Sequence, residues 1–356
     1  MAQTLLDQES SRVIIQPNQR ESGYWFGGGN LVVAPDGTWY LSGRYRNYGD
    51  SRTGLEAGSR GVELAVFRSH DQGQSFAKIL SFTKRDLSLP GQPVLSIEGS
   101  ALHFVPGGVE LYVSTEKANV PYPEYLRAFH KDGTGVWSLD RLQARDIAGL
   151  AQVEITPFLN SRDPRFLHVK DPVIYDATNR DTLLSFCTHP YNWASSNSGC
   201  MLRGCGEERF SAPNHTFFHR GYTWDVAISR ITSWMAVPQY GVFAKERPLI
   251  LAFYDGGESM RNLDQHEKAL HRPRGYSCEE IGGLAWGYEG TPQSLQRLSV
   301  ELPMFLSPWG SGSSRYVDVV QTRDGIVATW EQSRPDFSQP LVMHRMSWDQ
   351  VHQVLS

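Results

Sequence analysis

The chain of 356 residues carries 34 Lys and Arg against 38 Asp and Glu, a net charge of −4, and 40% of it is hydrophobic. That is enough apolar material for a large core, and with no basic excess neither a nucleic-acid partner nor an anionic membrane surface is expected. The start MAQTLLDQESSRVIIQ lacks a basic segment followed by an apolar one, and no run approaches a membrane span, so a cytoplasmic protein is the expectation.

In chain order, Arg12 to Gln16 (RVIIQ) reads as a first strand, and NLVVAPDGTWYLSGR, Asn30 to Arg44, as a hairpin turning at Pro35-Asp36-Gly37. Val62 to Phe67 and Phe76 to Phe82 are the next strands. ALHFVPGGVELYVST, Ala101 to Thr115, turns at Gly107-Gly108. The same form recurs at Lys170 to Thr188 and at Arg315 to Gln332, with strands at Asp225 to Ile231 and Pro248 to Tyr254 between them. Leu284 to Tyr288 and Leu298 to Leu302 are weaker strand candidates, and Asp264 to Leu270 and Asp349 to Leu355 are the main helical ones.

Unit starts near residues 30, 98, 170, 225 and 315 imply an all-β propeller of roughly five blades, each of four strands. A sixth blade within Tyr276 to Phe305 is the alternative. Pairing of Arg12 to Gln16 beside Leu341 to Ser347 would close the ring, leaving residues 1–356 as a single domain. A propeller gathers its first-strand starts around one axis. Asn30, Glu98, Asp171, Asp225 and Arg315-Tyr316 stand at or beside such starts, and convergent carboxylates suit glycosidic hydrolysis, which needs one protonated acid and one base or nucleophile.

The four cysteines do not form a disulfide framework, and without a CxxC pair or an HxxxH no metal is expected. No cofactor is expected either. Loops rich in His and aromatic residues, such as His189-Pro190-Tyr191-Asn192-Trp193 and Tyr222-Thr223-Trp224-Asp225, offer stacking and directional hydrogen bonds to sugar hydroxyls; His189 and Trp224 are the candidates there. Glu279-Glu280, in a loop dense in reactive side chains, adds two more. The expected partner is a small carbohydrate, and oligomeric state is left open.

Ser69-His70-Asp71-Gln72-Gly73-Gln74-Ser75-Phe76 fits the Ser-x-Asp-x-Gly-x-Ser/Thr-Trp/Phe pattern, the Asp box, and so resembles the turns of sialidase-like β-propellers. Glu98-Gly99-Ser100 and Lys170-Asp171-Pro172-Val173, each followed by a hairpin, resemble the acid-bearing blade starts of the five-bladed glycoside hydrolases of families 43, 32 and 130. That resemblance implies an exo-acting glycosidase with Glu98 as general acid and Asp171 as a supporting acid. Gly27-Gly28-Gly29-Asn30 replaces the first-blade Asp of families 43 and 32, so Asp225 or Asp50 would serve as base. Arg44, Arg46, Asp50 and the Asp box, with Arg315-Tyr316 and Glu331, also resemble the first and last blades of sialidases. In that scheme Asp50 is the acid/base, Tyr316 the nucleophile, and arginines grip a carboxylate. A noncatalytic carbohydrate- or protein-binding propeller is the third reading.

Overall fold

The computed structural model describes residues 1–47, 60–130, 133–258 and 280–356. Nearly all regular structure is strand, arranged in five antiparallel sheets. The first contains β2 (Trp25–Gly27), β3 (Leu31–Val33), β4 (Trp39–Arg46), β5 (Glu63–Ser69) and β6 (Ala77–Thr83), with β2 and β3 pairing successive parts of β4. The second is β7 (Val94–Val105), β8 (Gly108–Lys117), β9 (Val136–Ala144) and β10 (Thr156–Leu159). The third is β11 (His168–Asp176), β12 (Thr182–His189), β13 (Asn197–Arg203) and β14 (Asn214–Phe218). The fourth is β15 (Ile228–Ala236), β16 (Leu249–Gly257), β17 (Ile281–Tyr288) and β18 (Thr291–Arg297). The fifth runs β19 (Ser314–Thr322), β20 (Gly325–Gln332), β21 (Leu341–Ser347) and finally β1 (Arg12–Ile15), the first strand of the chain.

Five blades, not six, make the propeller. The segment suspected of hiding another blade supplies β17 and β18 to the fourth, and Leu298 to Leu302 is not a strand. The fourth inner strand begins at Ile228, three residues beyond the expected start, which leaves Asp225 in the preceding loop. Residues 264–270, expected to be helical, lie outside the described residues.

Each interface between blades has its own apolar core, so the second strands are covered on both faces. β12 and β20 are buried along their whole length. Leu64, Val66, Leu102 and Leu111 fill the space between blades one and two, and Tyr112, Leu139, Leu184 and Phe186 that between two and three. Leu183, Phe218, Ile231 and Trp234 join three to four; Phe253, Leu284, Val317 and Trp330 join four to five. Val327, Leu341, Phe26 and Phe67 close five onto one. β1 completes that closure with Arg12 opposite Met343 and Val13 opposite Val342. A C-terminal helix, α1 (Trp348–Leu355), starts in a capping box between Ser347 and Gln350 and buries Val351 and Leu355 on the fourth-to-fifth core.

The turn from β5 to β6 is held by side chains. Asp71 Oδ1 accepts from Ser69 Oγ at 2.7 Å and from the Ser75 amide at 2.9 Å, while the Gly73 amide donates to Ser69 Oγ at 2.8 Å. Gly73 has φ +77°, and a Cβ there would lie 2.8 Å from the buried ring of Trp39. Both the left-handed backbone and the close approach require glycine. Gly73→Ala is therefore expected to lower stability by roughly 1–3 kcal/mol, read as a shift in the urea unfolding midpoint at unchanged slope.

Candidate active site

An irregularity at the inner-strand starts builds the site. The register of β7 shifts between Ile97 and Ser100, that of β11 between Lys170 and Val173, and that of β19 between Arg315 and Asp318. A bulge re-aims side chains that regular alternation would send to opposite faces. Asp171 and Tyr316 sit within these bulges at φ +54° and +50°, a conformation that non-glycine residues rarely adopt and that marks functional positions.

The second strand of each hairpin supplies the opposite wall. Directly paired residues of an antiparallel ladder share a face, and the pairs here are Gly27 with Arg44, Lys170 with Cys187, Arg230 with Asp255, and Arg315 with Glu331. Five carboxylates, Glu98, Asp171, Asp255, Glu280 and Glu331, thus meet five cations, Arg44, Arg46, Lys170, Arg230 and Arg315.

Their contacts run from blade to blade. Arg44 donates to Glu331 Oε1 at 2.9 Å and lies 3.7 Å from Glu98 Oε2, while Arg46 donates to Glu98 Oε1 at 3.2 Å. The Gly99 amide donates to Asp171 Oδ1 at 3.0 Å. Arg230 then bridges three acids: Asp171 Oδ2 at 3.0 Å, Asp255 Oδ2 at 2.7 Å, and Glu280. Arg315 binds Glu331 Oε2 at 2.8 Å and Glu280 Oε2 at 3.2 Å. The Tyr316 amide donates to both oxygens of Asp255, and its hydroxyl donates to Asp171 Oδ2 at 3.3 Å beneath the Arg230 guanidinium, 4.0 Å from the ring centre. A gap of about 10 Å³, room for roughly one water, lies among Gly28, Gly29, Ser100, Asp171, Arg230 and Tyr316.

The surroundings drive the acids apart. Burial opposes ionisation of Glu98, but Arg46, Lys170 and Arg44 outweigh it and hold its pKa down at about 2. Asp171 is held well below the usual carboxylate range, the cost of its burial being overcome by Lys170, Arg230 and Arg44. Complete burial, opposed by Arg230 and reinforced by the Glu280 carboxylate, pushes Asp255 up to about 7. Desolvation also opposes the charge on the partly exposed Glu280, yet Arg230 and Arg315 keep it below its ordinary value. Burial raises the Tyr316 hydroxyl well above 10, so it stays protonated.

Of the expected site residues, Glu98, Asp171, Tyr316, Arg44, Arg46, Glu280 and Arg315 come together here. His189 stands just behind, its Nε2 3.6 Å from the Cys187 sulfur, which in turn lies 3.6 Å from Asp171 Oδ2. Burial lowers the His189 pKa well below 6.5 and leaves the ring neutral, a support for Asp171 rather than a group facing the gap. Three expectations need correcting. Asp225 is completely buried and bound to Arg297 at 2.7 Å, sharing no partner with the cluster. Trp224 stacks on Tyr254 inside blade four and donates to the Ser299 carbonyl. Asn30 hydrogen-bonds both backbone groups of Leu102 and so pins blade one to blade two. Asp50 and Glu279 lie outside the described residues.

Lys170, Arg230, Asp255 and Glu331 were missed as site residues. A usable signal existed: each of the last three sits on a cross-strand pair whose partner, or itself, occupies an inner-strand start. Among the described residues no three His, Cys, Asp or Glu side chains are arranged to hold a metal ion, and no helix is long and apolar enough to cross a membrane.

Comparison of the whole fold with solved structures places these observations in a wider setting. The endo-arabinase of Bacteroides thetaiotaomicron VPI-5482 matches with a TM-score of 0.55 at 11% identity, covering 94% of this chain and 97% of its own. A β-1,2-mannobiose phosphorylase from Listeria innocua gives 0.56 at 11%, with 96% of both chains covered. A xylan β-1,4-xylosidase from Bacillus halodurans C-125 gives 0.55 at 12%, covering 93% of this chain and 54% of its own. What they share with this chain is its fold. No family model and no curated protein matches the sequence.

Arg230 carries the cluster. Its removal would take a shared cation from three carboxylates in a site where Arg230 and Asp255 are 2% and 0% exposed. Arg230→Ala is expected to cost roughly 3–5 kcal/mol, measured by chemical denaturation, whereas a loss below about 1 kcal/mol would show that the network behaves as a solvated surface pair.

Proposed function

We propose that the chain is an exo-acting glycoside hydrolase working on a small carbohydrate, with Glu98 and Glu280 flanking the scissile bond. The observation that carries this reading is that these two side chains are the most exposed of the five carboxylates. Side-chain exposure is 14% for Glu280 and 6% for Glu98 but 0% for Asp255 and Glu331, and Lys170 acts electrostatically on both Glu98 and Glu280.

Roles follow from the charge environment. Glu98, anionic at neutral pH, is better suited to base or nucleophile than to the general acid implied by the family resemblance, because three cations oppose its protonation. Of the two acids bound by Arg230, Asp255 is the one disposed to hold the proton needed by the leaving oxygen, because burial and the Glu280 charge raise it, whereas Glu280 is kept ionised by Arg230 and Arg315. Asp171 and Tyr316 orient Arg230. The fold likeness to an endo-arabinase, a xylosidase and a mannobiose phosphorylase supports glycosidic chemistry as the reaction class.

The sialidase-like alternative is weaker on two counts. There are five blades, and the Tyr316 hydroxyl is held protonated beside the Asp171 carboxylate, which disfavours a phenolate nucleophile.

A panel of aryl glycosides, spanning furanosides, β-mannosides, xylosides, uronides and a sialoside, tests the reading. Glu98→Gln and Glu280→Gln should each lower kcat on the cleaved member roughly 10²- to 10⁴-fold with unaltered folding; full turnover in both would discard the mechanism. Since the acid must carry its proton, kcat/KM should fall as pH rises through about 7, the value to which Asp255 is pushed. Asp255→Asn should shift or abolish that alkaline limb, and a limb unmoved by the change would assign the proton elsewhere.

A further inference from the structure

Beside the cluster stands a wall of aromatic side chains with no part in the chemistry above. It is built on the loop after β12 and on the short 3-10 turn Glu124–Phe129 of the neighbouring blade. Trp193 adopts φ +60°, strained for so bulky a residue, and caps a buried group of rings: Trp137 at 4.1 Å, His168 at 4.2 Å and His189 at 4.5 Å between centroids. The wall touches the cluster through Lys170, whose Nζ lies 5.7 Å from the Trp193 ring centre and 3.7 Å from Asp171.

Tyr191 precedes Trp193 by two positions in the same loop. Phe129 packs edge-on against Tyr191 at 5.5 Å, and the Tyr122 hydroxyl donates to the Tyr191 carbonyl at 3.0 Å, docking the turn on the loop. Yet the turn buries none of its own residues. Phe129 is 58% exposed and Tyr125, four positions earlier, 76%. Tyr125 and the outer part of the Phe129 ring, left in water, do nothing for the core. Trp193 likewise is held strained above a filled core rather than lowered into it.

We propose that Trp193, Tyr191 and Phe129 form a platform for the leaving-group side of an oligosaccharide, so that the preferred substrate has at least one further sugar ring beyond the bond that is cleaved. A pyranose has an apolar face of C–H groups suited to stacking on an aromatic ring, and polar edges suited to groups such as Lys170 at the inner end. The continuity of the wall with Asp171 through Lys170 is what makes its occupant part of the substrate and not a separate partner. The assignment rests on the glycosidase reading for the identity of the reaction, but binding alone can test it.

Two measurements on the full chain separate the proposals. Tryptophan fluorescence titrated with xylotriose, arabinotriose and β-1,2-mannobiose reads binding, which the variants locate, and kcat/KM for an oligosaccharide divided by that for the matching aryl monoglycoside reads the use of the wall in turnover. Phe129→Ala, a change at an exposed ring, should weaken oligosaccharide binding roughly three- to tenfold and lower the kinetic ratio by a similar factor. Trp193→Ala should lower both further, with Trp193→Phe restoring most of the loss; the phenylalanine variant controls for folding. Binding that weakens in these variants without turnover of any glycoside would uphold the platform and overturn the hydrolase reading. Turnover with an unchanged ratio in both Phe129→Ala and Trp193→Ala, or no response to any of the three sugars in the wild type, would overturn the platform.

Discussion

The structure depends on a closed circuit of charge at its axis. Arg44 and Arg46 tie blade one to Glu98 of blade two, and the Gly99 amide ties blade two to Asp171 of blade three. Arg230 of blade four takes up Asp171, Arg315 of blade five takes up Glu280 beside blade four, and Glu331 of blade five returns to Arg44. Every neighbouring pair of blades is joined. Buried ion pairs of this kind stabilise little against an apolar replacement, because desolvation cancels much of the attraction. Their presence in such number is understandable only if the charges are needed, and the apolar cores between the blades offset their cost.

The same circuit explains how one site holds carboxylates of different character. Glu98 faces three cations and stays ionised, while Asp255, a short distance away, shares one guanidinium with two other acids and lies wholly out of water. Environment, not residue type, divides their roles. Bulges at the inner-strand starts make the crowding feasible, since regular alternation would have turned half of these side chains into the blade interfaces.

Much of this was legible in the sequence. The strand–turn–strand units and their period led to five blades, because alternating apolar runs ended by Gly-rich turns depend only on local chemistry. Glu98, Asp171, Arg315 and Tyr316 were found because inner-strand starts converge in any propeller. Asp225 misled because its strand begins three residues later, a boundary decided by pairing with β16 that no local pattern records. Trp224 and Asn30 are polar or aromatic residues near the right places whose partners, Ser299 and Leu102, are far away in sequence. Asp255 and Glu331 escaped because they lie across the ladder from the first strands, and Arg230 because the fourth inner strand was expected to start at Asp225 rather than Ile228.

Ring closure gives the molecule a particular history. The contacts that bring the first strand into blade five include a bond between Ser11 and Gln332, 321 positions apart. Loop-closure entropy for so long a separation must be met before those contacts repay it, and topologies of this kind fold slowly. Arg44 finds Glu331 only when that closure is made. Until then its charge lacks a partner from the last blade, so the candidate catalytic machinery comes into being with the final step of assembly, and a partly assembled ring is inert as well as unstable.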